Sequence, residues 1–192
     1  AVRIGLPKAR FTAVLVLQFV VLFWLVASDG GRDMKSLLSL ASIGCFVAGA
    51  DWPYGMDEAT FDAFVAGCRD HPAATLKRFS LLCSQGSSEA RGLARQLQAA
   101  APHLAPEVLL AGLEVLGNFD GRSALQRFAG PQLHLLAGAD ALVPAEVAGE
   151  LLALLPDIEV GLIEEVSHAF PLERPHEVAA AIHAFITEAG DV

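Results

Sequence analysis

The stretch PQLHLLAGADALVPAEVAGELLALLPDIEVGLIEEVSHAF, residues 131–170, contains the pattern that decides the fold. Its segment QLHLLAG at 132–138 predicts a strand, the segment 144–155 with Pro at its first turn predicts a helix, and the segment 158–163 predicts a second strand. Strands that alternate with helices form parallel sheets with helices on both faces. We therefore expect an α/β fold built on a parallel sheet.

The residues before this unit predict one more strand and then a helical insertion. SLLSLAS, residues 36–42, is a short apolar run that fits a buried strand. Because several helices in succession interrupt the strand–helix alternation, we expect them to form a cap over the carboxyl edge of the sheet, where ligands bind in such folds. Pro and Gly separate four predicted helices, at 57–70, 72–85, 87–101 and 106–117. The predicted division is an atypical apolar segment at 1–35, a core at 36–56 and 118–192, and a cap at 57–117.

Composition and charge exclude several classes of protein. Hydrophobic residues make up 54% of the 192 residues and charged residues 18%, which excludes general disorder. The net charge is −9, and residues 97–192 hold three basic and 14 acidic side chains, so we expect no nucleic-acid partner. The three cysteines are an odd number without metal-ligand spacing. They predict neither a disulfide framework nor a metal site, and they favour a reducing, cytoplasmic location.

The N-terminal segment allows two interpretations. Residues 11–28 are eighteen consecutive uncharged residues, and Arg3, Lys8 and Arg10 precede them. As a helix this run would be about 27 Å long, which is typical of a signal sequence or a membrane anchor. The same run also fits a buried strand that leads into a buried helix at the centre of an α/β sheet. Both interpretations stay open on sequence alone.

Two residues with catalytic potential follow the two strands of the opening stretch. Asp140 follows the first strand, and His168 follows the second. An acid and a histidine in this order are the last two members of the Ser, Asp, His triad in the chain order of α/β-hydrolases. Each residue alone would be interpreted as a turn Asp or a loop histidine. Because both follow strand ends, we expect a triad acid and a triad base.

From Leu37 to about Ile186 the sequence resembles the pimeloyl-acyl-carrier-protein methyl ester esterases of biotin synthesis, which are capped α/β-hydrolases. The stretches that carry the resemblance are LASIGCFVAGADWP (40–53), TLKRFSLLCSQGSSEARGLARQL (75–97), GLEVLGNFDGRSAL (112–125), GADALVP (138–144) and SHAFPLERP (167–175).

The resemblance implies a partial α/β-hydrolase sheet with an inserted four-helix cap, and a monomer that needs no cofactor. It implies hydrolysis of a methyl ester through an acyl-serine intermediate, with Asp140 as triad acid and His168 as triad base. Phe79 would line the acyl channel. On the cap, the residues implied to contact the acyl-carrier protein or its phosphopantetheine are Arg78, Arg91 and Arg95.

The charge pattern of the cap is consistent with an acidic partner. Residues 77–95 hold four basic side chains and one acidic side chain in a chain of net charge −9. A local positive patch on an acidic protein can steer an acidic partner toward it. A solvated helix face with scattered arginines is the alternative interpretation.

The sequence departs from the family at the nucleophile. No G-x-S-x-G motif occurs in the chain, and an ungapped match to the family places Leu17 where the serine belongs. Ser28, in ASDGG, and Ser84, in CSQG, match only part of the motif. We therefore expect that the catalytic front half is missing or has been replaced, through a frame error, a rearrangement or a fusion, and that the chain is a poor esterase. The alternatives are a non-catalytic module that binds acyl-carrier protein or another partner, and a membrane-anchored hydrolase-like protein that uses residues 11–28.

Overall fold

The structure is a computed structural model, and it describes residues 25–28, 34–101 and 105–190. Four strands are described: β1 (Leu25–Ser28), β2 (Met34–Leu40), β3 (Gln132–Ala137) and β4 (Glu159–Ile163). Eight helices are described: α1 (Glu58–Asp70), α2 (Pro72–Cys83), α3 (Ala90–Ala100), α4 (Pro106–Asn118), α5 (Arg122–Arg127), α6 (Val147–Leu154), α7 (Phe170–Glu173) and α8 (Pro175–Gly190).

The described strands form one sheet in the order β1-β2-β3-β4. The pairs β2–β3 and β3–β4 are parallel, which confirms the predicted α/β fold class. All six residues of β3 are buried because the strand has neighbours on both sides and packed side chains on both faces. β2 begins and ends two residues earlier than the predicted strand at 36–42, since Ala41 takes a left-handed backbone conformation with φ of 46°.

The edge strand β1 departs from the predicted parallel arrangement. It pairs antiparallel with β2, and Ser28 lies opposite Met34. Only residues 29–33 connect the two strands, and a parallel crossover needs about a dozen residues, so the chain can only return antiparallel. Residues 11–24 of the apolar run lie outside the described residues. Among the described helices, none is long and apolar enough to cross a membrane.

The four helices α1–α4 lie between β2 and β3 in the chain, where the cap is predicted. Asp57 caps α1, because its Oδ2 accepts a hydrogen bond of 3.0 Å from the Thr60 amide. α3 begins at Ala90 rather than at 87, and Ser87 instead accepts from the amide of Glu89 at 3.1 Å. Two short helices that the sequence did not predict, α5 and α7, follow the cap and β4.

Apolar side chains pack on both faces of the sheet. On one face, Leu133 and Leu135 pack in one cluster with Phe185 of α8. The other cluster joins the cap to the sheet, because Phe79 of α2 packs with Leu136 of β3. Burial of such large side chains contributes about 1.5–3 kcal/mol each to folding. The cap is therefore held on the sheet by a continuous apolar core.

One buried polar network interrupts this core between β2 and β3. Ser39 Oγ donates to His134 Nδ1 at 2.7 Å, and His134 Nε2 lies 3.4 Å from Gln132 Oε1. Gln132 in turn donates to the carbonyl of Leu125 at 3.0 Å. Burial lowers the pKa of His134 from 6.5 to about 4. The imidazole is therefore neutral in the folded protein at neutral pH.

We expect His134 to make folding sensitive to pH below its ordinary pKa. Above pH 6.5 the folded and unfolded states bind the same number of protons at this residue. Between pH 6.5 and 4 the unfolded state binds a proton that the folded state does not, so the free energy of unfolding falls by up to about 3 kcal/mol. Urea unfolding of the wild type and of His134→Asn at pH 7 and pH 5 measures this difference.

The loss of stability between pH 7 and pH 5 should be smaller in His134→Asn than in the wild type. His183→Asn is the matched control, because His183 is exposed on α8 and should leave the pH dependence unchanged. Equal pH dependence in His134→Asn and the wild type would show that the network does not control the acid sensitivity.

The turn after α2 makes the closest approach of the cap to the sheet. Gly86 has a positive φ of 97°, and a Cβ built on it would lie 2.1 Å from the carbonyl oxygen of Ala139. Ala139 belongs to the loop that follows β3. Only glycine fits this contact without backbone movement.

Gly86→Ala should destabilise the protein by about 3 kcal/mol, because the strained φ and the overlap with Ala139 both add to the cost. Denaturant unfolding at pH 7 measures the effect. Gly149→Ala is the control: Gly149 lies on α6 with nothing within 4 Å of a built Cβ, so that change should be neutral or stabilise by up to about 1 kcal/mol. Equal effects of the two substitutions would contradict the role of the Gly86 contact.

Candidate active site

Asp140 is held by the turn that follows β3. Its Oδ1 accepts hydrogen bonds from the amides of Leu142, at 2.8 Å, and Val143, at 3.0 Å. Asp side chains commonly make such bonds to the backbone two or three residues ahead. The side chain has no solvent exposure. The local sequence therefore fixes one carboxylate oxygen and leaves Oδ2 to face another group.

That group is His168, in the loop between β4 and α7. Its Nδ1 lies 2.8 Å from Asp140 Oδ2, and its side chain is 16% exposed. In this geometry Nδ1 donates to the carboxylate, so Nε2 is the nitrogen left to accept a proton. The structure thus brings together the two residues that the sequence selected.

Backbone hydrogen bonds hold the two loops side by side. The amide of Gly138 donates to Ile163 at 2.8 Å, and the amide of Ala139 donates to Val166 at 3.0 Å. Gly138 leaves room for this contact, since a Cβ there would lie 3.1 Å from the Cα of Glu164. The parallel pairing of Ala137 with Ile163 therefore continues past the strand ends.

The cap touches both loops through the end of α2. The carbonyl of Cys83 accepts a hydrogen bond from the amide of Ala169 at 3.3 Å, and Gly86 lies close to Ala139. Burial raises the pKa of the Cys83 thiol, so this cysteine stays protonated. Ser84 is fully buried and donates to the carbonyl of Leu81 at 3.0 Å. Neither side chain has the exposure that a nucleophile needs.

Two positions remain to be considered for the nucleophile: Ser28, and Leu17, which matches the family's serine. Neither provides a nucleophile in the described structure. Ser28 ends β1, and an elbow requires a strand followed by a helix, whereas this strand is followed by the antiparallel β2. Leu17 lies outside the described residues. Among the described side chains, His168 makes one hydrogen bond, to Asp140.

The cap residues that the sequence selected fall into two environments. Arg78 of α2 and Arg91 and Arg95 of α3 are exposed, and none of the three forms an ion pair with a described carboxylate. Arg91 and Arg95 are one helical turn apart and share a face. Phe79 is buried, with its ring 5.0 Å from that of Phe64. The exposed arginines are thus available to a partner, whereas Phe79 belongs to the core.

Sequence reasoning missed the contact that anchors the loop of His168. Ser167, next to His168, donates from its amide and its hydroxyl to Glu173 of α7. The available signal was the short spacing of the two residues in SHAFPLERP. Among the described residues, no group of three or more His, Cys, Asp or Glu side chains could hold a metal ion.

Comparison with known proteins gives relatives that are named as esterases of biotin synthesis. The chain is 34% identical over 170 residues to the pimeloyl-acyl-carrier-protein methyl ester esterase of Aromatoleum aromaticum, covering 82% of this chain and 68% of that protein. It is 37% identical over 162 residues to the esterase of the same name from Cronobacter sakazakii, covering 83% and 62%. No protein-family profile matches the chain.

The chain covers a smaller share of a third relative, which is a longer protein. It is 36% identical over 174 residues to a biotin biosynthesis bifunctional protein of Teredinibacter turnerae, covering 85% of this chain and 30% of that protein.

Solved structures agree on the fold. A bromoperoxidase from Bacillus anthracis matches with a TM-score of 0.72 and 23% identity, over 83% of this chain and 61% of that one. An esterase from Exiguobacterium antarcticum matches with a TM-score of 0.73 and 16% identity, over 83% and 60%. Together with the parallel sheet, these matches show a partial α/β-hydrolase fold. The sequence relatives show further that the chain belongs to the pimeloyl-acyl-carrier-protein methyl ester esterase family.

Proposed function

We propose that this chain carries the acid–base pair and the cap of a serine carboxylic ester hydrolase, whose substrate is an ester borne by an acyl-carrier protein. We propose further that the chain alone hydrolyses esters poorly, because its sequence lacks the nucleophile elbow. The observation that supports the first part is the contact of 2.8 Å between His168 Nδ1 and Asp140 Oδ2 at the carboxyl edge of the sheet.

The chemistry of the pair follows from this geometry. With Nδ1 donating to Asp140, Nε2 of His168 can take the proton of an attacking hydroxyl as its oxygen bonds to the ester carbonyl carbon. The same proton then passes to the alkoxide that leaves as methanol. In an esterase that has the serine, water repeats the two steps on the acyl-enzyme and releases the acid. Asp140 keeps the imidazole in the required tautomer and stabilises its cation during both steps.

The absent elbow explains why the rate should be low. In this fold the elbow supplies the serine, and the amide after it forms part of the oxyanion hole. The printed sequence has no G-x-S-x-G. Loss of a triad member lowers the rate by about 10⁴-fold or more, and loss of an oxyanion donor adds to that. An acid–base pair without its nucleophile therefore retains little of the family activity.

The exposed arginines of the cap support an acidic carrier as the partner. Arg78, Arg91 and Arg95 lie on α2 and α3, which pack against each other. Their charge is of the opposite sign to the net charge of the chain, which is −9. Such a patch favours the encounter with an acidic protein and its phosphopantetheine phosphate. Because this surface does not depend on the serine, a non-catalytic module that binds the carrier is the second candidate function.

We expect purified wild-type chain to hydrolyse short p-nitrophenyl esters at least about 10⁴-fold more slowly than the Cronobacter sakazakii esterase measured alongside it. His168→Ala should leave this residual rate unchanged, since no nucleophile depends on the imidazole. Release of p-nitrophenol measures both rates. Fast turnover that His168→Ala abolishes would contradict the proposed impairment and would show that the chain contains a working nucleophile.

The triple variant Arg78→Ala, Arg91→Ala, Arg95→Ala should bind holo-acyl-carrier protein about tenfold or more weakly than the wild type, because three attractive charges are lost. Its affinity should also depend less on salt. Isothermal titration at two salt concentrations measures both effects.

The matched control carries the same change in net charge on exposed arginines outside the patch: Arg69→Ala, Arg127→Ala, Arg174→Ala. Equal weakening by both triple variants would indicate a general charge effect. Unchanged affinity in the patch variant would exclude these arginines from the binding surface.

A further inference from the structure

The loop that carries His168 is anchored to one carboxylate oxygen. Glu173 Oε1 accepts a hydrogen bond of 2.8 Å from the amide of Ser167 and one of 2.5 Å from the hydroxyl of Ser167. With its proton directed to Glu173, Ser167 Oγ accepts from the amide of Ala169 at 3.3 Å. Both chain neighbours of His168 are therefore linked to Glu173, one directly and one through a hydroxyl.

These bonds are suited to fixing a backbone position. Ser167 has no solvent exposure, and Glu173 is half-buried, so water competes weakly for the carboxylate. Hydrogen bonds to a charged acceptor are roughly twice as strong as neutral ones. Glu173 also belongs to α7, whose first residue, Phe170, is fully buried under the sheet. The carboxylate is thus carried by a short helix whose first residue is anchored in the core.

The two members of the acid–base pair are held in different ways. The side chain of Asp140 is fixed by hydrogen bonds from two backbone amides. The side chain of His168 makes one hydrogen bond among the described residues, so its ring is placed by its backbone. That backbone is held by Glu173 and by the amide of Ala169, which shares its proton between Ser167 Oγ and the carbonyl of Cys83.

We propose that Glu173 is a positioning residue for His168: its carboxylate fixes the backbone on both sides of the histidine and so keeps Nδ1 within hydrogen-bonding distance of Asp140. The inference rests on the proposed function of the pair. Glu173 does not touch the reacting atoms, and it acts only through the geometry of the loop.

The hydrogen bond between His168 and Asp140 can be observed directly, without any ester turnover. In protein labelled with ¹⁵N-histidine, NMR detects the deshielded Nδ1 proton of His168 and its rate of exchange with water, and Asp140→Asn assigns the signal. Glu173→Ala should accelerate this exchange about tenfold, the factor that corresponds to about 1.4 kcal/mol for a charge-assisted hydrogen bond.

Conservative variants separate positioning from general destabilisation. Glu173→Gln keeps an oxygen acceptor, so it should restore much of the protection that Glu173→Ala removes. Glu177→Ala changes an exposed residue four positions farther along the chain, on α8; it removes the same charge and should leave the exchange rate unchanged. If Glu173→Ala does not fold, Ser167→Ala is used for the test instead. This variant removes the hydrogen bond from the Ser167 hydroxyl to Glu173 and keeps the one from the Ser167 backbone amide. Faster exchange of the Nδ1 proton of His168 in Ser167→Ala would then support the proposal.

Exchange at the wild-type rate in a folded Glu173→Ala, or in Ser167→Ala where that variant carries the test, would overturn the positioning role. Equal acceleration by Glu173→Ala and Glu177→Ala would also overturn it. Because this readout does not need a nucleophile, a chain that lacks esterase activity can still support or refute the role of Glu173. The esterase assay can likewise fail independently of it.

Discussion

The parallel pairing of β3 with β4 is the constraint on which the site depends. It places Ala137 opposite Ile163, so that both strands end at the same edge. Two further backbone bonds, from Gly138 and Ala139, continue the pairing into the loops. An Asp three residues past one strand end then reaches a histidine five residues past the other. The chemistry of the pair is thus a consequence of strand register, which a shift of one residue would destroy.

The cap is fixed at its base by a second set of contacts. Arg122, just after the cap, donates to Asp120 at 2.7 Å and to Asp51 at 2.8 Å, and its guanidinium lies 5.6 Å from the ring centre of Trp52. The hydrogen bond from Arg122 holds the pKa of Asp120 below its ordinary value. Exposed ion pairs contribute little free energy. Their effect here is geometric, because the Arg122 side chain joins the segments that enter and leave the cap.

The sequence predicts those parts of the fold that local chemistry decides. The strand β3, the helices α2 and α4 that begin with Pro, and the N-cap of α1 at Asp57 each depend on a few neighbouring residues. The selection of Asp140 and His168 rests on their place after strand ends. The antiparallel β1 could not be predicted, because the continuous apolar run at 11–28 has no period that distinguishes a strand from a helix. The helices α5 and α7 are too short to show a hydrophobic period. The contact of Gly86 with Ala139 is formed only when the cap meets the loop after β3. The bonds from Ser167 to Glu173 are local, but they depend on the short helix α7, which the sequence did not predict.

Asp140 and His168 both lie in the C-terminal half of the chain, and the residues that hold their loops come from that half and from the cap. A fully buried carboxylate loses its hydration, and three hydrogen bonds replace it: two from amides and one from His168. Removing one partner from such a set is costly because it leaves a buried charge incompletely satisfied. The three hydrogen bonds of Asp140 are therefore maintained by the cost of breaking them, which does not depend on a serine. A chain without the nucleophile elbow can therefore keep Asp140 and His168 in hydrogen-bonding geometry, because the contacts that hold them do not depend on that elbow.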